Sequence, residues 1–372
     1  MTENSKHSLN TTPESPRPSK IPKTQGVSDQ EGEEEGDNQL EESSMSKNPR
    51  TQRYLVAIEY IGTRFSGSQQ QPNCRTVVGA LEEAFHKFIG QPVSIFCSSR
   101  TDAGVHALSN VCHVDVERIS KRKPGEVLPP HDPSVVRKAV NHFLQKNDGD
   151  ISVIDVRCVP NDFHARYKAQ ERTYFYRLLS GSEPLSIFER ERAWHVPEKL
   201  DLHAMQEACK ILVGHHDFSS FRAAGCQAKS PIRTLEELNV SEVPPTPYFP
   251  SITEKEQNNS SIEDFHACSS KPEIDPVINS FSNSDDMVES DSKTDPTFGM
   301  RRRHRCYVIT ACARSFLYHQ VRLLVGVLKC AGTGELTTSD VERILNAKSV
   351  TAASPMAPAC GLYLGRVKYD LP

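Results

Sequence analysis

The order of secondary-structure elements constrains this chain most, because it occurs twice. By periodicity, residues 53–159 run strand, helix, two strands, helix, strand, and residues 171–369 repeat that order. Tyr54, Val56, Ile58 and Tyr60 alternate on the first strand. Thr76 predicts the N-cap of a helix carrying Val77, Leu81, Phe85 and Phe88, and Asp132-Pro133 predicts a second start with proline at the first helical position. In the second half, Glu171 to Leu179 alternates, Asp201 caps a helix, and the apolar stripe of Leu317, Val321, Leu324, Val325 and Leu328 predicts a helix over 316–330. Residues 338–347 read as a shorter helix, and 361–369 as a closing strand. The fold class expected is α+β, with two ferredoxin-like (split βαβ) halves and a mainly antiparallel sheet. The halves share no obvious sequence identity.

Charge divides the chain further. Residues 1–50 carry 10 acidic and 6 basic side chains, lack hydrophobic periodicity, and read as a disordered tail. Residues 51–160 form the first half. Residues 161–243 and 301–372 form the second, interrupted at 244–300 by a polar, acidic insert that reads as a disordered loop between two hairpin strands. Residues 241–297 hold 12 acidic and 3 basic groups, which leaves the rest of the chain, outside the tail, at 35 basic and 26 acidic. A positive body whose halves meet across a central basic cleft suits a polyanionic partner. The 11 cysteines include no Cys-x-x-Cys pair and argue for reduced thiols in an intracellular compartment, with mitochondrion, cytoplasm and nucleus all open. No apolar run reaches membrane-spanning length, so no membrane partner is expected.

The chemistry-bearing stretch is Ser98 to Ala107, a loop between two strands that presents Asp102 beside Arg100, two hydroxyls and Gly104. As a bare pattern, Asp-Ala-Gly is also an ordinary turn. Tyr174 lies in an alternating Tyr-Phe-Tyr set, where a ring serves equally as core or as a stacking surface for a base. Arg322 lies off the apolar stripe of its helix and is a candidate partner for a carboxylate. His164 and Arg166 lie on one side of an extended stretch and suit phosphates or internal carboxylates. His215-His216-Asp217 lacks the spacing of a helical zinc site, and a hydrogen-bonding role at a helix end is expected instead. No phosphate-binding glycine loop, dinucleotide fingerprint or Ser-His-Asp order appears, so nucleotide cofactors and acyl-transfer chemistry are not expected, and no metal site is assigned.

Taken together, six motifs resemble the TruA-type tRNA pseudouridine synthases: 100–106 (Arg-Thr-Asp-Ala-Gly-Val-His), 162–166 (Asp-Phe-His-Ala-Arg), 172–176 (Arg-Thr-Tyr-Phe-Tyr), 216–221 (His-Asp-Phe-Ser-Ser-Phe), 316–322 (Phe-Leu-Tyr-His-Gln-Val-Arg) and 361–364 (Gly-Leu-Tyr-Leu). The run Ser98 to Asn110 looks most like the animal branch called tRNA pseudouridine synthase-like 1. The resemblance implies a pseudouridine synthase fold, isomerisation of uridine in tRNA near the anticodon stem-loop, no cofactor, and a homodimer. It implies Asp102 as the catalytic aspartate, Tyr174 as the tyrosine stacked on the target base, and Arg322 as the arginine paired with the aspartate. Arg100, His106 and Arg166 are expected on the substrate side. An RNA-binding or tRNA-folding protein with the same cleft and no turnover is the alternative. An aspartate-dependent glycosidase ranks last, because Asp102 has no sequence-local carboxylate partner.

Overall fold

A computed structural model describes residues 50–123, 125–146, 149–244, 304–353 and 355–371. Apart from their boundary residues 50 and 244, the N-terminal tail (1–50) and the acidic insert (244–300) of the sequence reading lie outside these residues. Strand β1 (Gln52–Tyr60) is central to the first half because both its faces are apolar: Tyr54, Leu55, Val56, Ile58 and Tyr60 are all buried. Helix α1 (Val77–Ile89) follows, started by the Thr76 hydroxyl accepting from the Gly79 amide at 3.2 Å. Then come β2 (Ile95–Cys97), β3 (His106–Val116), α2 (Pro133–Lys146) and β4 (Ile151–Val159). Strand β1 pairs antiparallel with β3 and β4, and β2 pairs antiparallel with β3, which gives the order β4-β1-β3-β2.

The second half comprises β5 (Glu171–Ser180), β6 (Trp194–Val196), α3 (Leu202–Leu212), β7 (Gly214–Asp217), β8 (Ile232–Val243), β9 (Arg305–Ala313), α4 (Gln320–Gly332), α5 (Thr338–Ala347) and β10 (Leu362–Lys368). Its antiparallel order is β10-β5-β9-β8-β7, with β6 alongside β5 in parallel. In each half the last long strand therefore lies beside the first. The halves join where β10 runs parallel to β3, with Tyr363 opposite His106 and Leu364 opposite Ala107. The product is one large, mostly antiparallel sheet of ten strands. Helix α2 packs on β4, and α3 packs on β8, α4 and α5.

Two elements differ from the sequence reading. Helix α4 begins at Gln320 rather than 316, because His319 adopts a left-handed backbone (φ +62°) that helical residues cannot share. Gly214–Asp217 is strand β7 rather than a helix end, recruited by pairing with β8. Strands β8 and β9 pair antiparallel on either side of the acidic segment, as a hairpin requires. Among the described residues every cysteine is a free thiol, and no helix is long and apolar enough to cross a membrane.

Candidate active site

The Asp102 loop is held from beneath by a buried polar network. Tyr60 and Thr101 share a hydroxyl–hydroxyl bond of 2.8 Å, and the Asn110 amide donates to Tyr60 Oη (3.3 Å) and to the Ser99 carbonyl (3.2 Å). Ser68 closes the other side: Thr101 N donates to Ser68 Oγ (2.8 Å), and Ser68 N donates to the Thr101 carbonyl (3.0 Å). The Val105 amide returns to the Asp102 carbonyl at 3.2 Å, a tight turn that uses Gly104 at φ +80°. Gly62 presses from behind; a Cβ there would sit 1.9 Å from the Val105 carbonyl oxygen. With its backbone held on several sides, the loop presents the Asp102 side chain partly to the outside, 28 % exposed.

The second half supplies the partners of that carboxylate. Arg322, on the first turn of α4, places Nη1 3.4 Å from Asp102 Oδ2 while its Nε donates to the Ala357 carbonyl at 2.8 Å. His319 Nε2 lies 3.1 Å from the same Oδ2. Oδ1 accepts no hydrogen bond among the described residues. Tyr174, on β5, packs edge-on to Phe316 (5.2 Å between centroids, 87°). Burial pushes its phenol up to about 12, with Arg172 pulling it down and the Asp102 charge pushing it up. Aspartate, arginine, histidine and tyrosine thus come from three separate stretches of the chain.

The family profile described as tRNA pseudouridine synthase matches residues 56–168 and 208–370. Relatives named tRNA pseudouridine synthase A are similar over nearly their whole length. The Xanthobacter autotrophicus protein is 37 % identical over 317 residues, covering 85 % of this chain and 99 % of its own. That of Rhodospirillum centenum is 37 % identical over 318 residues, covering 86 % and 100 %. That of Bartonella henselae is 34 % identical over 317 residues, covering 85 % and 99 %. The chain belongs to the tRNA pseudouridine synthase family. These enzymes are isomerases. Asp102 and Arg322 fall inside the matched blocks, and Tyr174 falls between them.

The remaining residues expected at the substrate side of this synthase occupy different settings. Arg100 is exposed on the Asp102 loop. Arg166 is exposed too, its guanidinium 5.8 Å from the Tyr167 ring centroid, and it makes no carboxylate contact among the described residues. His106 is 1 % exposed, and both its ring nitrogens are engaged. Nδ1 accepts from the Gly62 amide (3.0 Å), and Nε2 donates toward the carbonyls of Glu191 (3.1 Å) and Cys360 (3.2 Å), with Tyr363 stacked on the ring. Burial lowers its pKa, consistent with that neutral, Nε2-protonated ring. In this position His106 ties three backbone segments together behind the loop. His216 also spends Nε2 on a backbone carbonyl, that of Val213, at 2.9 Å.

Two residues escaped the motif-by-motif reading. Arg172 clamps the loop to its surroundings through Ser99 Oγ (3.1 Å), the Ser98 carbonyl (2.9 Å) and the Arg166 carbonyl (3.1 Å). An arginine two residues before Tyr174, on the same strand, is the signal. His319 was hidden because the helix seemed to run through it. Elsewhere, Glu171, Glu236 and Cys312 bring potential metal-ligand atoms within 4.8 Å of one another. Burial pushes the Cys312 thiol up to about 11, and a protonated thiol is a poor metal ligand.

Proposed function

We propose that this synthase converts uridine to pseudouridine in the anticodon stem-loop region of tRNA, with Asp102 as its catalytic carboxylate. The observation that carries the reading is the convergence on one Asp102 oxygen of Arg322 and His319, with Tyr174 close enough to sense the same charge. The reaction detaches uracil at N1 and rejoins it at C5, without net redox change or a group donor. A positioned carboxylate meets that balance by attack at C1′, by attack at C6, or by removing a ribose proton. The target base must leave its stack, at a cost of a few kcal/mol that is smaller in a loop than in a duplex. Stacking on Tyr174 offsets about 1–3 kcal/mol of it. Arg322 balances the carboxylate charge in a partly dry site, and Arg100 and Arg166 offer exposed cations to the RNA backbone.

In the same reading, the two halves are ferredoxin-like repeats whose seam forms a basic cleft, supported by the strand order common to both. A homodimer would let one tRNA span two subunits. Placement in the animal branch of the family is supported by the run Ser98 to Asn110. The test is tritium release from C5-labelled uridine in unmodified tRNA transcripts, wild type against Asp102→Asn. Release by wild type, lost in a folded Asp102→Asn protein that still binds RNA, is the expected result. Equal release by both proteins would remove Asp102 from the mechanism. RNA binding without release by either would favour a chaperone role.

A further inference from the structure

His319 stands at the N-cap of α4, where Ser, Thr, Asp or Asn would ordinarily accept a hydrogen bond from the first helical turn. Its side chain makes no such bond. It also holds φ +62°, a conformation that favours glycine or asparagine over an imidazole residue. The surrounding turn enforces that geometry. Gln320 Oε1 accepts from the Leu317 amide (2.8 Å), Gln320 N donates to the Leu317 carbonyl (3.0 Å), and the Tyr318 carbonyl accepts from Ala223 N (3.1 Å). Tyr318 then stacks on the imidazole at 3.8 Å and 29°. All of this holds the imidazole Nε2 3.1 Å from Asp102 Oδ2, within ion-pair distance though its N–H is not aligned on the oxygen.

Accepting the proposed role of Asp102, we infer that His319 is a positioning residue for the isomerisation: from 3.1 Å a small turn of its ring puts Nε2–H on Oδ2 jointly with Arg322, so that Oδ1 is presented to the substrate. Two donors on one oxygen set the carboxyl torsion, which a single long guanidinium contact of 3.4 Å would leave loose. Burial lowers the imidazole pKa, and Arg322 adds to this while Asp102 opposes it. The ring therefore donates as a neutral group, and no second full charge competes with Arg322 for the carboxylate.

Three proteins test this: wild type, His319→Gly and His319→Gln. Glycine suits the left-handed backbone and removes the donor, so loss of rate in that variant is not a folding defect. Glutamine restores an amide N–H near the Nε2 position. Expected is a fall of about 10–100-fold in the single-turnover rate for His319→Gly, with RNA affinity within about twofold of wild type and substantial recovery in His319→Gln. A wild-type rate in His319→Gly, or a Gln variant as slow as the Gly variant, overturns the inference. Imidazole ¹⁵N spectra of wild type and Asp102→Ala give a readout that needs no turnover. A protonated Nε2 whose resonance shifts when Asp102 is removed supports the contact, and an unmoved resonance refutes it. Absence of turnover in wild type would count against the synthase reading alone.

Discussion

Arg322 and Asp102 stand 220 residues apart in the chain, and Arg322 Nη1 reaches Asp102 Oδ2 at 3.4 Å. The guanidinium does two things at once, since its Nε also grips the Ala357 carbonyl. A lysine keeps the charge but cannot serve both directions. Arg322→Lys is expected to lose about 10²-fold in pseudouridine formation while retaining most RNA affinity. Tritium release under single-turnover conditions measures the first quantity and filter binding the second.

Tyr174 should act through its ring face. Tyr174→Leu removes stacking worth about 1–3 kcal/mol, so kcat/KM should drop about 10–100-fold, whereas Tyr174→Phe keeps the ring. Because burial holds the phenol up to about 12, it stays protonated through the whole working range. Tyr174→Phe is therefore expected to leave the shape of the pH–rate profile between about pH 6 and 10 unchanged. An alkaline limb that disappears in the Phe variant would contradict this.

Gly326 tests how far the site depends on packing behind it. A Cβ there would lie 1.7 Å from the Pro355 carbonyl oxygen, and Ala357, two residues on, exchanges hydrogen bonds with Arg322 in both directions. Gly326→Ala must push the 355–357 segment away, at a cost of about 1–3 kcal/mol. A lowered melting temperature together with a lowered catalytic rate is expected. A drop in stability with an unchanged rate would show that Arg322 is not guided by this segment.

His113 should make stability depend on acid. Burial, with His164 and Arg53 adding to it, holds its pKa down to about 3 against an ordinary 6.5. Its Nδ1 accepts from the Ala165 amide, and Nε2 has no hydrogen-bond partner among the described residues. Between these two pH values the unfolded chain binds a proton that the folded chain refuses. Stability is complete above pH 6.5 and declines as pH falls toward 3, by roughly 2–3 kcal/mol between pH 7.5 and 4.5 from this group. His113→Phe, which preserves the stack on Phe96, should show a correspondingly flatter pH dependence in urea unfolding.

Local signals were legible in the sequence wherever local physics decides the structure. Strand β4 and helix α5 fall where apolar spacing placed them, and Thr76, Asp132 and Asp201 sit at helix starts with their side-chain oxygens accepting from backbone amides. The Asp102 turn could be read from one carboxylate and Gly104. The contact with Arg322 could not, because a sheet of ten strands brings the two together. The same limit applied to His106, whose burial depends on Gly62, Glu191 and Cys360, three remote segments that no spacing rule connects. At His319 the apolar pattern was misleading. Phe316 and Leu317 extend the helical stripe, but one left-handed residue ends the helix before it reaches them.

The seam between β3 and β10 also has a consequence during synthesis. Strand β10 leaves the ribosome after every other described strand, yet it occupies the centre of the sheet, between β3 and β5. Until it emerges, β3 and β5 each lack a partner along the part of the edge that β10 covers, and the carboxylate and its arginine belong to separate lobes. A nascent chain stalled before Leu362 is expected to carry Asp102 and Arg322 on halves not yet joined by the strand between β3 and β5. The strand that closes the sheet joins the half bearing the carboxylate to the half bearing the arginine.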